Sequence, residues 1–388
     1  MKKLIINIAK NPLIVIEIIY FIIVILLDKL KGVKTIVFNI HYDHLFDIFK
    51  PVYNSLRECP NIKIYFSYNI ANKGLKNYLL NYINNHFLIR NTVSPFVPFD
   101  MFICPEVTMS DFPVSYLNTK TVEITHEIST YNLHEKKNIL NRFDVHFSIG
   151  PQFNDLIDDA HDRLDKPLII YNTGFAKLDL LQKGDSVNDS LFIEYGIDKR
   201  PVILFAPHWN PHNSLCHFEE EIIKELSLFD AFILVKPHYL LIEKYKEINW
   251  KQRLCEISNK FSNVSIVFKR DIQELYPITD IMITDIGTSV SLEFSLLYKP
   301  LILYYNEEWF KGKIYVESER DICDTAFQFQ ELDELRNIIS QIIKSDIQTI
   351  SQLEEQRKKQ NVIIKKYLFN PGCATERTVN AILNEISA

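Results

Sequence analysis

Residues Ile281 to Tyr305 read IMITDIGTSVSLEFSLLYKPLILYY. The run Ile281 to Thr284 is too short for a helix and has the apolar character of a buried strand. Asp285 follows, then Gly287, Thr288 and Ser289. Val290, Leu292, Phe294, Leu296 and Leu297 then fall close to the 3.6-residue spacing of a helix. Lys299-Pro300 stops that helix, and Leu301 to Tyr304 reads as a second buried strand. A small-residue turn that opens a helix offers backbone N–H groups and hydroxyls to an anion such as a phosphate. One helical turn on, Glu293 is placed to reach a sugar hydroxyl. Taken alone, the stretch fits an ordinary strand-helix-strand unit with a Ser/Thr cap as well as it fits a nucleotide site.

The same alternation runs outward in both directions. Upstream in the second half, strands are expected at Val202 to Ala206, Ala231 to Val235 and Val264 to Phe268. Helices are expected at Phe218 to Leu228 and Leu241 to Lys260, with a short one at Ile272 to Pro277. In the first half the strand patterns are Lys34 to Ile40, Ile62 to Tyr68, Phe99 to Cys104, Thr121 to Thr125, Val145 to Ile149 and Pro167 to Tyr171. Helical patterns cover Leu45 to Leu56, Gly74 to Phe87 and Phe153 to Leu164. Beyond Tyr305 the chain reads as helical. Short strands alternating with helices predict mostly parallel sheets covered on both faces. The expected fold is α/β: two doubly wound Rossmann-like domains facing a cleft, over residues 33–190 and 191–345. A hydrophobic helix precedes them at 1–32, and C-terminal helices at 346–388 pack back on the domains.

Ligands of such sheets sit beyond the carboxyl ends of the strands. Ala206 is followed by Pro207-His208-Trp209-Asn210, Val235 by Lys236-Pro237-His238, and Thr284 by Asp285 and the Gly287-Thr288-Ser289 turn. In the first half Thr125 is followed by His126, and Tyr171 by Asn172-Thr173-Gly174. Three histidines at strand ends, together with a phosphate-type turn, make these positions the candidate site.

Composition narrows the class. The chain has 388 residues, 47% of them apolar and 24% charged, as in a globular protein. A net charge of −6 gives no sign of a nucleic-acid binder. The six cysteines are scattered, without metal-ligand spacing. No Walker-type glycine loop or dinucleotide fingerprint is present. The Asp158-Asp159 and His161-Asp162 group lies in a polar helix and reads as a solvated face. No metal and no cofactor are expected. Leu13 to Leu27 is apolar except for Glu17, with lysines on both flanks, and is shorter than the roughly 20 residues of a spanning helix. It reads as a short anchor, as a helix dipping into one leaflet, or as a helix packed on a partner.

These residues resemble the CDP-glycerol glycerophosphotransferase family, related to teichoic acid polymerases and primases and similar in fold to GT-B glycosyltransferases. The resemblance rests on Thr284-Asp285, Thr288-Ser289, Glu293 and Lys299-Pro300. It also rests on Asp271, Glu274-Leu275-Tyr276, Asp280, Lys236-Pro237-His238, Ala206-Pro207 with Trp209, Thr173-Gly174 with Lys177 and Asp179, and His126. It is strong over residues 120 to 305 and weaker beyond. This sequence departs from the family's pattern in four places, one of them a turn at Ile286-Gly287 that is one residue longer. Glu127 follows His126 where the family has glycine, His208 stands for threonine, and Asn210 stands for an arginine, which removes a fixed-charge fork for phosphate.

Such a transfer needs the pyrophosphate held, the ribose positioned and the acceptor hydroxyl deprotonated as it attacks. Gly287, Thr288 and Ser289 suit the pyrophosphate, with His208 nearby. Lys236 and His238 suit the charge of the leaving phosphate, Glu293 suits the ribose, and His126 is the candidate base. Asp285 reads better as a turn cap than as a ligand. The resemblance implies a transferase on the cytoplasmic face of the cell membrane. Its donor would be CDP-glycerol or similar, and its acceptor a hydroxyl of a surface polymer or its lipid-linked precursor. A nucleotide-sugar glycosyltransferase, a non-hydrolysing nucleotide-sugar epimerase and a non-catalytic membrane-associated protein are the competing readings.

Overall fold

The computed structural model describes residues 11–40, 43–69, 72–84, 87–104, 117, 119–125, 128, 140–161, 166–182, 189–268, 271–313 and 316–387. The chain divides into two compact units. The first comprises Met1–Glu127, Asn132–Asp179 and Leu368–Ala388, and the second Ile128–Tyr131 and Leu180–Tyr367. The helix Ile347–Tyr367 belongs to the second unit and Ala374–Ser387 to the first.

The first unit holds seven strands: β1 (Lys34–Ile40), β2 (Ile62–Tyr68), β3 (Leu88–Arg90), β4 (Met101–Cys104), β5 (Lys120–Ile124), β6 (Val145–Ser148) and β7 (Ile169–Asn172). Their order is β3-β2-β1-β4-β5-β6-β7, all parallel. The second unit holds β8 (Val202–Ala206), β9 (Phe232–Val235), β10 (Val264–Ile266), β11 (Ile281–Asp285), β12 (Leu301–Tyr304) and β13 (Phe327–Phe329). Their order is β10-β9-β8-β11-β12-β13, again all parallel. Strands β8, β9, β11 and β12 are buried along their whole length, as expected of strands covered by helices on both faces. Each sheet is doubly wound, and the direction of winding reverses between β8 and β11 in the second unit.

Some elements differ from the sequence expectation. The edge strand β13 falls where helix is expected, and β3 where no element is; three residues are too short to carry a period. The helix expected at Leu241 to Lys260 is two, Tyr239–Lys244 and Trp250–Ser258, broken at Asn249, whose φ is 51°. Phe218 to Leu228 is likewise split into Ser214–Phe218 and Glu221–Ser227 at Glu219, also with φ 51°. Neither break carries the glycine or proline that usually marks one.

The helix Pro12–Leu30 lies against the first unit. Phe21 and Ile25 enter a core with Val37, Tyr65 and Phe102. Its polar residues are tied to that unit: Glu17 to Arg90 at 2.9 Å, Asp28 to Lys63 at 2.6 Å and Lys29 to Asp100 at 3.3 Å. Leu13, Ile16, Tyr20, Ile23, Leu27 and Leu30 are exposed on the other side. Among the described residues no helix is long and apolar enough to cross a membrane. The charge that interrupts the apolar run, Glu17, and the two that follow it, Asp28 and Lys29, are the ones that dock it.

Candidate functional site

The winding reversal opens the second sheet between the carboxyl ends of β8 and β11, and both ends carry the predicted residues. Asp285 closes β11 and is buried. Its carboxylate accepts the backbone N–H groups of His208 (2.6 Å) and Ser214 (2.8 Å). It thereby pins both ends of the loop that leaves β8. Burial raises its carboxyl to about 6, and the hydrogen bonds from Ser214 and His208 oppose that rise. Asp285 is thus a positioning residue, although the segment it holds is the loop after β8 and not the turn that follows it. Thr284 adds a hydroxyl bond to the Ala206 carbonyl at 2.7 Å.

Two imidazoles meet at this edge. The rings of His208 and His238 lie 5.8 Å apart, and Trp209 lies 5.4 Å from the first and 6.4 Å from the second. In each ring Nδ1 accepts a backbone N–H, from Asn210 at 3.1 Å and from Leu240 at 3.2 Å. A backbone amide can only donate, so each neutral ring carries its proton on Nε2. His238 also caps the helix Tyr239–Lys244 and stacks on Tyr239. His208 is only half-exposed and crowded. Burial first, then the charges of Lys313 and Lys244, lower its proton affinity to about 4. The ring is therefore neutral at physiological pH. Lys236 follows β9, its N–H bonded to the Phe205 carbonyl, which places it at the same sheet edge.

The turn departs from a simple phosphate cradle. Gly287 has φ 83°, and a Cβ there would overlap the indole of Trp309. The glycine is required because that indole packs on its α-carbon. The helix that follows, Val290–Ser295, has only six residues; Ser289 at its N-cap makes no side-chain capping bond, and the Thr288 hydroxyl accepts the Val290 N–H at a long 3.4 Å. Thr288 and Ser289 stand half-exposed at its start. Glu293 is buried, accepting from the Tyr276 hydroxyl at 3.0 Å and from Gln273 Nε2 at 3.2 Å. It does not lie on a solvent face.

Other residues of the sequence pattern prove to build the scaffold. Lys299 donates to the Pro277 and Thr279 carbonyls, stapling the turn before β11. Asp280 accepts from the Val202 N–H at 2.8 Å. In the first unit Asp179 accepts from the N–H groups of Ala374 (3.0 Å) and Thr375 (2.6 Å), capping the last helix. Gly174 faces the Phe369 carbonyl at a distance no Cβ would tolerate. His126 lies outside the described residues. Among the described residues no group of three or more potential ligands for a metal ion occurs.

Sequence reading missed Lys244, Lys313 and Trp309. Lys244 Nζ sits 3.6 Å from the Trp209 ring centroid, and Lys313 Nζ 3.8 Å from that of Trp309. No spacing rule links them to the strand ends, although two tryptophans among so few residues of that type were a signal. Elsewhere, a cavity of about 530 Å³ opens in the first unit at the amino ends of β4 to β7. Its charges largely satisfy one another, Lys120 with Glu385 and Lys166 with Asp144, and it lies at the end of the sheet away from the strand ends that carry ligands.

Among known proteins, the family described as CDP-Glycerol:Poly(glycerophosphate) glycerophosphotransferase matches residues 121–384. A teichoic acid poly(glycerol phosphate) polymerase of Bacillus spizizenii is 27% identical over 143 residues, 34% of this chain and 34% of that protein. The match thus spans about a third of that relative's length. Among solved structures, the wall teichoic acid polymerase TagF soaked with CDPG superposes with a TM-score of 0.65 at 17% identity. That match covers 99% of this chain and 97% of the other. A UDP-GlcNAc 2-epimerase of Neisseria meningitidis bound to UDP-GlcNAc gives 0.61 at 13% identity, covering 90% and 100%. At these identities the likenesses speak for the two-sheet, GT-B-like α/β fold.

Proposed function

Because the chain belongs to the CDP-glycerol:poly(glycerophosphate) glycerophosphotransferase family, we propose that it transfers a glycerol phosphate, or a similar polyol phosphate, from a CDP-activated donor to a hydroxyl of a cell-surface polymer or its lipid-linked precursor. The observation that carries this reading is the pair of imidazoles 5.8 Å apart at the winding reversal, each with its proton on Nε2. Two Nε2–H donors at neighbouring strand ends suit a bridging pyrophosphate better than they suit a proton-abstracting role. In the proposed reaction the acceptor oxygen forms a bond to the phosphorus that bears the glycerol. The bond from that phosphorus to the bridging oxygen breaks, and CMP leaves with the electron pair. His238 and Lys236 stabilise the charge that grows on the departing phosphate. His208, Gly287, Thr288 and Ser289 border the donor phosphates, and Glu293 faces the ribose hydroxyls. His126 takes the acceptor proton as general base.

The acceptor side is assigned to the first unit. The exposed apolar side of the helix Pro12–Leu30 is proposed to rest on the cytoplasmic face of the membrane, bringing a lipid-linked acceptor within reach. A nucleotide-sugar glycosyltransferase or epimerase is the second reading, since the fold is shared with UDP-sugar enzymes. The test is turnover by the His126→Ala and His238→Gln variants with CDP-glycerol and a membrane acceptor. Each is expected to lose at least about 100-fold in kcat. Full turnover by both variants would remove the assigned site.

A further inference from the structure

Asn210 stands where the resemblance led us to expect an arginine, so the cleanest fixed charge for a diphosphate is missing from the loop after β8. The structure places two other cations around the same loop. Lys244, the last residue of the helix Tyr239–Lys244, lies over Trp209 at 3.6 Å. Lys313 lies over Trp309 at 3.8 Å and donates to the Trp309 carbonyl. Trp309 in turn packs on Gly287, so Lys313 stands beside the Gly287-Thr288-Ser289 turn. The charges of both ammonium groups act on the His208 ring. Among the described residues neither makes a salt bridge to a carboxylate, although the charge of Glu319 acts on Lys313 and offsets part of what burial takes from its proton affinity. A lysine on an aromatic face keeps its charge while losing rotamer freedom. Two such lysines, brought from separate segments to one histidine, concentrate positive potential at this loop, with Glu319 opposing it on the Lys313 side.

We propose that Lys244 and Lys313 form a two-point clamp for the donor's pyrophosphate and replace the charge that Asn210 does not supply. The inference rests on the reading of this edge as the nucleotide-donor site. The tryptophans set the clamp's spacing. Trp209 fixes Lys244 on the His238 side, and Trp309 fixes Lys313 on the Gly287 side, so the two phosphates of a nucleoside diphosphate are gripped from opposite sides of His208. A nucleoside monophosphate engages one side only, and a nucleoside neither.

The experiment measures binding of CDP, CMP and cytidine to the full chain by calorimetry, with NMR for the weakest ligand. The Lys244→Met and Lys313→Met variants keep an apolar stem on each indole. Each is expected to weaken CDP about 5- to 30-fold while leaving cytidine unchanged. Lys244→Arg and Lys313→Arg are expected to stay within about threefold of the parent chain. Lys311→Met, which removes an exposed lysine held by Glu308, is expected to bind CDP as the parent does. Unchanged CDP affinity in both methionine variants overturns the clamp. So does an equal loss for CDP and cytidine, which marks a packing role. If the parent chain prefers UDP to CDP with the same lysine dependence, the clamp stands and the CDP assignment fails. If it binds no nucleoside diphosphate, both fail.

Discussion

Replacing Gly287 by alanine tests whether the glycine serves the indole or the ligand. Two costs are readable from the structure. The backbone at φ 83° is left-handed, which costs a residue with a Cβ about 1–2 kcal/mol. The new methyl would also overlap Cε2, Cζ2 and Nε1 of Trp309, well inside van der Waals contact with a side chain that is only 3% exposed. Overpacking of this kind costs about 1–3 kcal/mol as neighbours shift. Gly287→Ala should therefore destabilise the second unit by about 2–5 kcal/mol. The Trp309→Leu background separates the two parts, because the smaller side chain leaves room for the methyl. There the same substitution should cost only the backbone part. The coupling between the two positions should be about 1–3 kcal/mol. Equilibrium denaturation of the four chains, followed by circular dichroism, gives the cycle. If Gly287→Ala costs as much in the Trp309→Leu background as it does with the indole in place, the packing argument is wrong and the glycine is there for another reason.

Three further outcomes follow from the same geometry. His208 protonates only near pH 4 in the fold and at 6.5 ordinarily. Its contribution is full above 6.5 and is lost as pH falls through 4, at most about 3 kcal/mol and less where water screens its half-exposed ring. Asp285 has the opposite sign: raised from 3.8 to about 6, it stabilises fully below 3.8 and loses about 3 kcal/mol as pH rises through 6. Denaturation at pH 4, 5.5 and 7 should show His208→Gln losing less stability toward acid than the parent chain and Asp285→Asn losing more; the reverse order would refute burial as the cause. Asp179→Ala removes the acceptor for two amides at the start of the helix Ala374–Ser387 and should cost about 2–4 kcal/mol. Hydrogen exchange should then accelerate across residues 374–387, and unchanged protection there would count against the cap.

The parallel sheets were legible because their strands are continuous apolar runs bounded by polar strand ends, as Val202 to Ala206 and Ile281 to Asp285 are. The carboxyl-end rule places His208, Lys236, His238 and Asp285 at one edge from the sequence alone. Two kinds of feature escaped. Edge strands of three residues, such as Phe327–Phe329, have too few positions to show a period. The helix breaks at Glu219 and Asn249 depend on positive φ values that glutamate seldom adopts and that asparagine adopts at only some of its positions. The cation pairs of Lys244 and Lys313 join segments far apart in sequence, so no local pattern announces them. Residues that carried the family resemblance, among them Asp179, Gly174, Lys299 and Asp280, hold caps, turns and close chain approaches. A strongly patterned position is often one where the backbone has no other acceptor.

Phosphotransfer from a CDP-activated donor is the central claim. Phosphorus NMR of the full chain with a membrane acceptor, given CDP-glycerol, CDP-ribitol and UDP-sugars in turn, tests it most directly. The predicted result is CMP release from a CDP-polyol, matched mole for mole by a new phosphodiester on the acceptor. UDP release or sugar epimerisation from a UDP-sugar, with CDP-glycerol left intact, would contradict it.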